Sequence, residues 1–88
     1  MERVLDQKSA LVIGGGGGGI GRAITRALAE AGSAVAVVDI DRQRAEEAAA
    51  EAAAAGVKAL ALTGDVTSHA DVDLFVSAFE DLVRDVTA

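Results

Sequence analysis

The sequence contains no cysteine, proline, tryptophan or tyrosine, and none of its 88 residues is asparagine. Without cysteine there is no disulfide framework, no thiolate nucleophile and no cysteine-ligated metal ion. The single histidine, His69, has no second imidazole with which to form a histidine-rich zinc site, so we expect a solvated surface residue and no metal. Without tyrosine, no phenol can act as a proton donor in catalysis.

Basic residues are also scarce. The 8 lysines and arginines are outnumbered by 14 aspartates and glutamates, which gives a formal net charge of −6. This acidic balance argues against a nucleic-acid surface. No apolar run approaches the roughly 18 residues of a membrane span, and the N-terminus lacks the features of a signal peptide. We therefore expect one small domain, 1-88, in the cytoplasm.

Three apolar segments alternate with three segments of helical periodicity. Residues 9–13, 34–38 and 57–62 are short apolar runs typical of strands buried in a parallel sheet. Residues 20–31, 42–55 and a segment capped by Thr67 or Ser68 predict helices. With right-handed crossovers, this order predicts an α/β fold: half of a Rossmann doubly wound fold, with three parallel strands in the order 3-2-1 and three helices.

Six consecutive glycines, residues 14–19, lie between the first predicted strand and the first helix, and Gly21 follows Ile20. A turn that binds pyrophosphate must be tight, must let the phosphates approach the backbone, and must open a helix with free N–H groups. Glycine meets each need. The run fits G-x-G-x-x-G in two registers and G-x-x-x-G-x-G at Gly15, Gly19 and Gly21. The alternative is a flexible loop that binds nothing.

Asp39 ends the second predicted strand, about 20 residues after the glycines, as the dinucleotide-binding fingerprint requires. Its carboxylate can accept hydrogen bonds from the adenosine ribose and would repel a 2′-phosphate. NAD is therefore favoured over NADP, although Arg42 and Arg44 lie near enough to weaken that preference. The alternative is that Asp39 only ends a strand.

These segments resemble the N-terminal, cofactor-binding half of the short-chain dehydrogenase/reductase family. Residues 10–24 are similar to its T-G-x-x-x-G-I-G loop and following helix, 37–41 to the end of its second strand, and 64–67 to its D-V-T element. One departure is that Gly14, or Ile13 if one glycine is an insertion, replaces the family's threonine. The resemblance implies alcohol–carbonyl oxidoreduction with hydride transfer to or from NAD.

The resemblance also implies nine cofactor-binding residues: Gly15, Gly18, Gly19, Ile20, Gly21, Asp39, Ile40, Asp65 and Val66. The glycines would form the pyrophosphate turn, with Gly18 and Ile20 lining the phosphates and the nicotinamide side through their backbone. Asp39 would hold the adenosine ribose, and Ile40 would lie against the adenine. Asp65 would reach the adenine amino group, unless it is only a turn residue that stabilises a helix start.

The residues that transfer protons in this family are missing. Its members use a Tyr-x-x-x-Lys pair with serine and often asparagine, and an N-A-G element follows the fourth strand; none of these motifs occurs here. We expect a truncated NAD(P)-binding domain that has no catalytic residue and is inactive alone. The alternatives are a non-enzymatic nucleotide-binding or interaction module and a truncated gene remnant. An open edge on the first strand, residues 10–13, also predicts self-association or binding of a complementary chain.

Overall fold

The computed structural model describes residues 3–14, 16 and 19–87. Its elements are β1 (Ser9–Ile13), α1 (Ile20–Glu30), β2 (Ala34–Asp39), α2 (Arg42–Ala54), β3 (Ala59–Thr63) and α3 (His69–Thr87). The strands form one parallel sheet in the order β1-β2-β3, so β2 lies in the centre. The predicted half of a Rossmann fold and its strand order are confirmed.

Glycine follows each of the first two helices. Gly32 and Gly56 follow α1 and α2 with φ of 101° and 94°, in the left-handed region that a side chain disfavours. β3 starts later than expected, at Ala59, because residues 57–58 carry the chain from the Gly56 turn back to the sheet. Its first partner on β2 is Val35.

Helices cover both faces of the sheet. One face packs against α1 and α2 in a cluster of five buried residues: Ala29, Val35, Val37, Ala48 and Ala52. The other face packs against α3 through Ala34, Ala36 and Leu82, with Phe79 and Val86 beside them. Since successive strand residues point to opposite faces, a strand covered on both sides must be apolar throughout, as residues 34–38 are.

α2 packs flat because its buried face is made of alanine. Ala45, Ala48, Ala49 and Ala52 are buried on the side that faces β2 and β3. The start of α2 is fixed by Asp41, whose carboxylate accepts a hydrogen bond from the backbone N–H of Arg44 at 3.1 Å. Small side chains let the helix approach the sheet closely, so this layer depends on their size.

Ion pairs join α1 to α2. Arg22 contacts Glu51 at 2.8 Å and Glu47 at 3.4 Å, and Arg26 reaches Glu51 at 3.4 Å. The hydrogen bond from Arg22 is the main cause that lowers the pKa of Glu51, and Glu51 in turn raises the pKa of Arg22. Glu47 and Glu51 therefore orient α1 on α2 as well as facing water.

Only part of the apolar surface of α1 faces the core, where Leu28 packs. Thr25 and Ala29 are its buried residues, whereas Ile20 and Ile24 are 80% and 47% exposed. The arginines of α1 lie on the flank beside α2, which leaves the isoleucines on the opposite flank.

In the part of the chain that the structure describes, no helix is long and apolar enough to cross a membrane.

The alanine layer gives a direct test of the packing. We expect Ala48→Leu to lower the free energy of unfolding by about 1–3 kcal/mol, because added methylene groups must displace α2 from β2. Ala50→Leu makes the same change on the exposed face of the same helix and should have little effect. Urea denaturation gives the free energy of unfolding of both variants, which can be compared when their m-values are equal. Equal loss of stability in the two variants would contradict the flat packing.

Candidate functional site

The carboxyl ends of the three strands meet at a cavity of about 280 Å³. Its lining comes from the ends of all three strands and the loops after them: Ile13, Gly14, Val38, Asp39, Ile40, Gly64, Asp65 and Val66. The backbone ties these ends together, since Gly14 donates to the Val38 carbonyl at 2.7 Å and Gly64 donates to the Asp39 carbonyl at 3.2 Å. Open α/β sheets bind ligands at this edge.

Asp39 is held in a fixed position beside the cavity. One of its carboxylate oxygens accepts a hydrogen bond from the backbone N–H of Asp41 at 2.9 Å. Asp39 is the last residue of β2, and the residues of the strand before it are buried. Asx turns of this kind orient the carboxylate. The structure thus presents one acidic acceptor at the rim of the cavity, where ribose hydroxyl groups could donate to it.

The two arginines near Asp39 are engaged elsewhere. Arg42 pairs with Glu46 at 3.0 Å, and Arg44 lies 3.8 Å from the carboxylate of Asp41. Both pairs are exposed and therefore weak. Neither arginine lines the cavity.

The N-terminus of α1 has no side-chain cap and no acidic residue in its first turn. Gly19 is its N-cap residue, with φ of 78°, and provides no side-chain hydrogen bond to the first turn. The first turn also contains no acidic residue, so no side chain of that turn opposes the positive end of the helix dipole. By contrast, Asp41 caps α2 and Ser68 caps α3.

The described part of the glycine loop contains one close approach. A Cβ on Gly16 would lie 2.7 Å from the carbonyl carbon of Arg44 and from the nitrogen of Ala45. Both are backbone atoms of α2, which cannot move aside as a side chain would. The predicted pyrophosphate residues Gly15 and Gly18 lie outside the described residues.

Ile20 and Gly21 are the first two residues of α1. The backbone of these two residues, which the family resemblance places near the phosphates, therefore lies at the N-terminus of that helix. Ile40 is 74% exposed and Val66 is 47% exposed, and both line the cavity. Apolar side chains left open at the mouth of a cavity are suited to the faces of an aromatic ring.

Asp65 begins a hydrogen-bonded turn at the opposite rim. Its carboxylate accepts from the Thr67 hydroxyl at 2.7 Å and from the Thr67 backbone N–H at 2.8 Å. The hydroxyl and then the backbone bond lower the pKa of Asp65, against the opposing effect of desolvation. The turn therefore has its full strength above the ordinary pKa of aspartate and weakens as the pH falls through the lowered value.

Asp71 holds this turn from α3, a role that the sequence did not indicate. Its carboxylate accepts from the backbone N–H of Asp65 at 2.9 Å, while its own N–H donates to the Ser68 hydroxyl at 3.3 Å. The signal present in the sequence is the spacing Ser68-x-x-Asp71, which is typical of a capping box. Here the acidic member bonds to the loop at the cavity instead of to the cap residue.

Chemically, the residues present fit a dinucleotide. A carboxylate for a ribose, apolar side chains for an adenine, and an uncapped helix N-terminus for a pyrophosphate lie at one edge of the sheet. A cavity of about 280 Å³ is near the lower end of small-ligand sites and suits one part of such a molecule. Among the described residues no three His, Asp or Glu side chains are grouped to hold a metal ion, and His69 is exposed.

The role of Asp71 can be tested without any ligand. We expect Asp71→Ala to speed hydrogen exchange of the Asp65 amide about tenfold, because that N–H loses a charged acceptor. Asp73→Ala, an exposed aspartate two residues away on α3, is the matched control. Amide exchange followed by NMR gives the rate at each position. An unchanged Asp65 rate in Asp71→Ala would show that the turn does not depend on α3.

Comparison with known proteins agrees with this geometry. The family model described as short chain dehydrogenase matches residues 8–88. The short-chain dehydrogenase/reductase dpchG of Colletotrichum higginsianum is 38% identical over 75 residues, which cover 85% of this chain and 26% of that protein.

Solved structures give the same result. An NAD⁺-bound xylitol dehydrogenase matches with a TM-score of 0.78 at 38% identity, over 93% of this chain and 30% of the other. A hydroxysteroid dehydrogenase from Escherichia coli matches with a TM-score of 0.85 at 31% identity, over 92% of this chain and 33% of the other. The chain thus spans about a third or less of the length of these relatives. It belongs to the short-chain dehydrogenase/reductase family.

Proposed function

We propose that the chain binds NAD at the cavity formed by the ends of its three strands, as the cofactor-binding part of a short-chain dehydrogenase/reductase. The observation that carries this proposal is Asp39, an aspartate oriented by the Asp41 N–H at the rim of that cavity. The family match and the similarity to an NAD⁺-bound xylitol dehydrogenase support a nicotinamide dinucleotide as the ligand class. When bound, NAD supplies a hydride acceptor for the oxidation of alcohols.

Three parts of the ligand, the pyrophosphate, the adenosine ribose and the adenine, each have their own group of residues. The pyrophosphate would lie over the glycine loop and the N-terminus of α1, held by Gly15, Gly18, Gly19, Ile20 and Gly21. Asp39 would accept hydrogen bonds from the adenosine ribose, with Ile40 against one face of the adenine. Asp65 and Val66 would border the adenine from β3, with Asp65 toward its amino group. Asp71 positions this rim through the Asp65 backbone.

The charges around the cavity favour NAD over NADP. The 2′-phosphate of NADP would lie next to the Asp39 carboxylate, and two neighbouring negative charges repel each other. The nearby cations, Arg42 and Arg44, do not line the cavity. Discrimination between the two dinucleotides therefore rests on one side chain.

Catalysis needs groups that the sequence does not contain. Reduction of a carbonyl requires an acid that protonates its oxygen as the hydride arrives, and this family uses tyrosine for that step. The chain contains no tyrosine. We infer that it binds the dinucleotide without transferring hydride on its own, and that the alcohol or carbonyl substrate would be bound by residues that this chain lacks.

Association with another protein chain belongs to the same proposal. β1 is an edge strand whose outer side has no strand partner among the described residues. Such an edge offers unpaired N–H and C=O groups to a second chain. The cytoplasmic location and the single domain 1-88 stay predictions.

Calorimetric titration with NAD and with NADP tests which dinucleotide the chain binds. We expect NAD to bind and NADP to bind at least tenfold more weakly. Asp39→Asn should weaken NAD binding about tenfold and narrow the difference from NADP, because it removes the charge while keeping an acceptor for the Asp41 N–H. Asp73→Asn is the control of equal charge change on an exposed face of α3 and should bind as the original chain does.

Two results would contradict the proposal. Folded chain that gives no heat with either dinucleotide would exclude the binding function. NADP binding as tight as NAD would remove the role of Asp39 in the choice of ligand. Circular dichroism of each variant shows that the fold is intact.

A further inference from the structure

The glycine loop lies against the first turn of α2 at Gly16, which is buried. A Cβ at this position would be 2.7 Å from the carbonyl carbon of Arg44, 2.8 Å from its oxygen and 2.7 Å from the nitrogen of Ala45. Carbon atoms that are not bonded to each other pack at about 3.5–4.0 Å. A methyl group at residue 16 would therefore displace either the loop or the helix by roughly 0.8 Å.

Space, and not backbone conformation, makes glycine necessary at residue 16. Gly14 and Gly19 have φ of 73° and 78°, and a Cβ on either of them would have no atom within 4 Å. Gly16 is the opposite case, because its φ lies outside the left-handed region while its Cβ would lie too close to α2. The pattern at Gly15, Gly19 and Gly21 leaves residue 16 unspecified, so the family resemblance gives it no role. A change from Gly16 to alanine alters only the contact with α2.

The peptide group that Gly16 contacts belongs to the N-terminal cap of α2. This group joins Arg44 to Ala45, and its N–H donates to the Asp41 carbonyl at 3.1 Å. The preceding N–H, that of Arg44, donates to the Asp41 carboxylate at 3.1 Å. The two residues beside Gly16 therefore hold Asp41 through both its backbone and its side chain.

Asp41 connects this cap to the rim of the cavity. Its own backbone N–H donates to the Asp39 carboxylate at 2.9 Å. An uninterrupted series of contacts thus leads from Gly16 through the cap of α2 to Asp39. Energetic coupling is carried by contiguous packing contacts and hydrogen bonds of this kind.

The sheet holds the same turn of α2 in place. Ala45 is completely buried on the face of the helix that packs against β2 and β3. The turn therefore contacts the sheet through a side chain and the glycine loop through its backbone. Closely packed interiors transmit a displacement instead of absorbing it. The helix cannot yield to a larger residue in the loop without moving its cap.

We propose that Gly16 is a positioning residue for the carboxylate of Asp39. The lack of a side chain lets the glycine loop and the first turn of α2 approach to the distance at which Asp41 orients Asp39 toward the cavity. This role rests on the proposed binding of NAD at the same edge of the sheet. Gly16 thereby links the loop assigned to the pyrophosphate with the carboxylate assigned to the ribose.

The covalent structure of the ligand explains why this spacing matters. In a dinucleotide, one CH₂–O link joins the adenosine ribose to the pyrophosphate. The loop that would hold the pyrophosphate and the carboxylate that would hold the ribose must therefore lie at a fixed separation. Binding groups need to be within about 0.5 Å of their productive positions, which is less than the roughly 0.8 Å that a methyl group at residue 16 imposes.

Discrimination between NAD and NADP separates positioning from a general loss of stability. Unfolding lowers the apparent affinity for both dinucleotides by the same factor. Misplacement of Asp39 instead removes hydrogen bonds from the ribose, and NADP has one hydroxyl fewer to lose because its 2′ oxygen carries the phosphate. The preference for NAD therefore narrows only if Asp39 has moved.

The Asp41 amide reports this connection without any ligand. We expect Gly16→Ala to speed hydrogen exchange of that amide about tenfold relative to the amides of β2, because its bond to the Asp39 carboxylate is distorted. Ala52→Leu is the matched control, since it overpacks the same buried face of α2 roughly 16 Å from Asp41 along the helix. It should leave the relative rate unchanged. NMR-detected exchange in sucrose, which favours the compact state, measures both variants.

Calorimetric titration of the same variants tests the consequence for binding. We expect Gly16→Ala to raise the NAD dissociation constant about tenfold and to narrow the preference over NADP at least threefold, whereas Ala52→Leu should keep that preference.

A second pair of variants leaves the loop unchanged. Asp41→Ala and Asp41→Asn both remove one charge, but asparagine caps a helix as aspartate does and alanine does not. Asp41→Ala should therefore bind NAD about threefold more weakly than Asp41→Asn. This comparison tests the connection from the cap to Asp39 even if Gly16→Ala does not fold.

Three results would overturn the proposal. They are an unchanged Asp41 amide in folded Gly16→Ala, an equal loss of NAD and NADP affinity in that variant, and equal NAD binding by the two Asp41 variants. If the original chain binds neither dinucleotide, the proposed function fails. The Asp41 amide then still decides whether Gly16 positions Asp39, so the two failures are distinguishable.

Discussion

The architecture depends on β2, which pairs with both of its neighbours while helices cover both of its faces. Val35, Val37 and Val38 are at most 1% exposed, so their burial supplies a large part of the hydrophobic stabilisation in a chain of this length. The strand also sets the positions of the functional groups. Its parallel pairing brings the ends of β1 and β3 beside Asp39, and every residue of the cavity lies at or just after one of these three ends.

Much of this arrangement could be predicted from local sequence patterns. Short apolar runs that end at glycine or aspartate indicate buried parallel strands, and glycines placed after the helices mark their ends. The strand order follows from the chirality of the crossovers. Asp39 could be singled out because its distance from the glycine run is set by one helix and the strand that follows it. Each of these features depends on residues close together in the chain or on a general rule of topology.

Features that depend on contacts between different helices, strands and loops could not be predicted in the same way. The periodicity of α1 identifies its apolar residues, but it does not show that Arg22 faces Glu51 on α2, a contact across 29 positions. The role of Asp71 likewise depends on a turn six residues earlier, and its local spacing indicates only a helix cap. The register of the glycines stays ambiguous because any glycine motif fits a continuous run.

The position of Asp71 has a consequence for the order in which the cavity can form. Its carboxylate comes from the first turn of α3, whereas the N–H that it binds belongs to the loop after β3. This rim of the cavity therefore takes its final shape only when the first turn of α3 is folded. Local unfolding of that turn is expected to loosen the rim while the pairing of the strands persists.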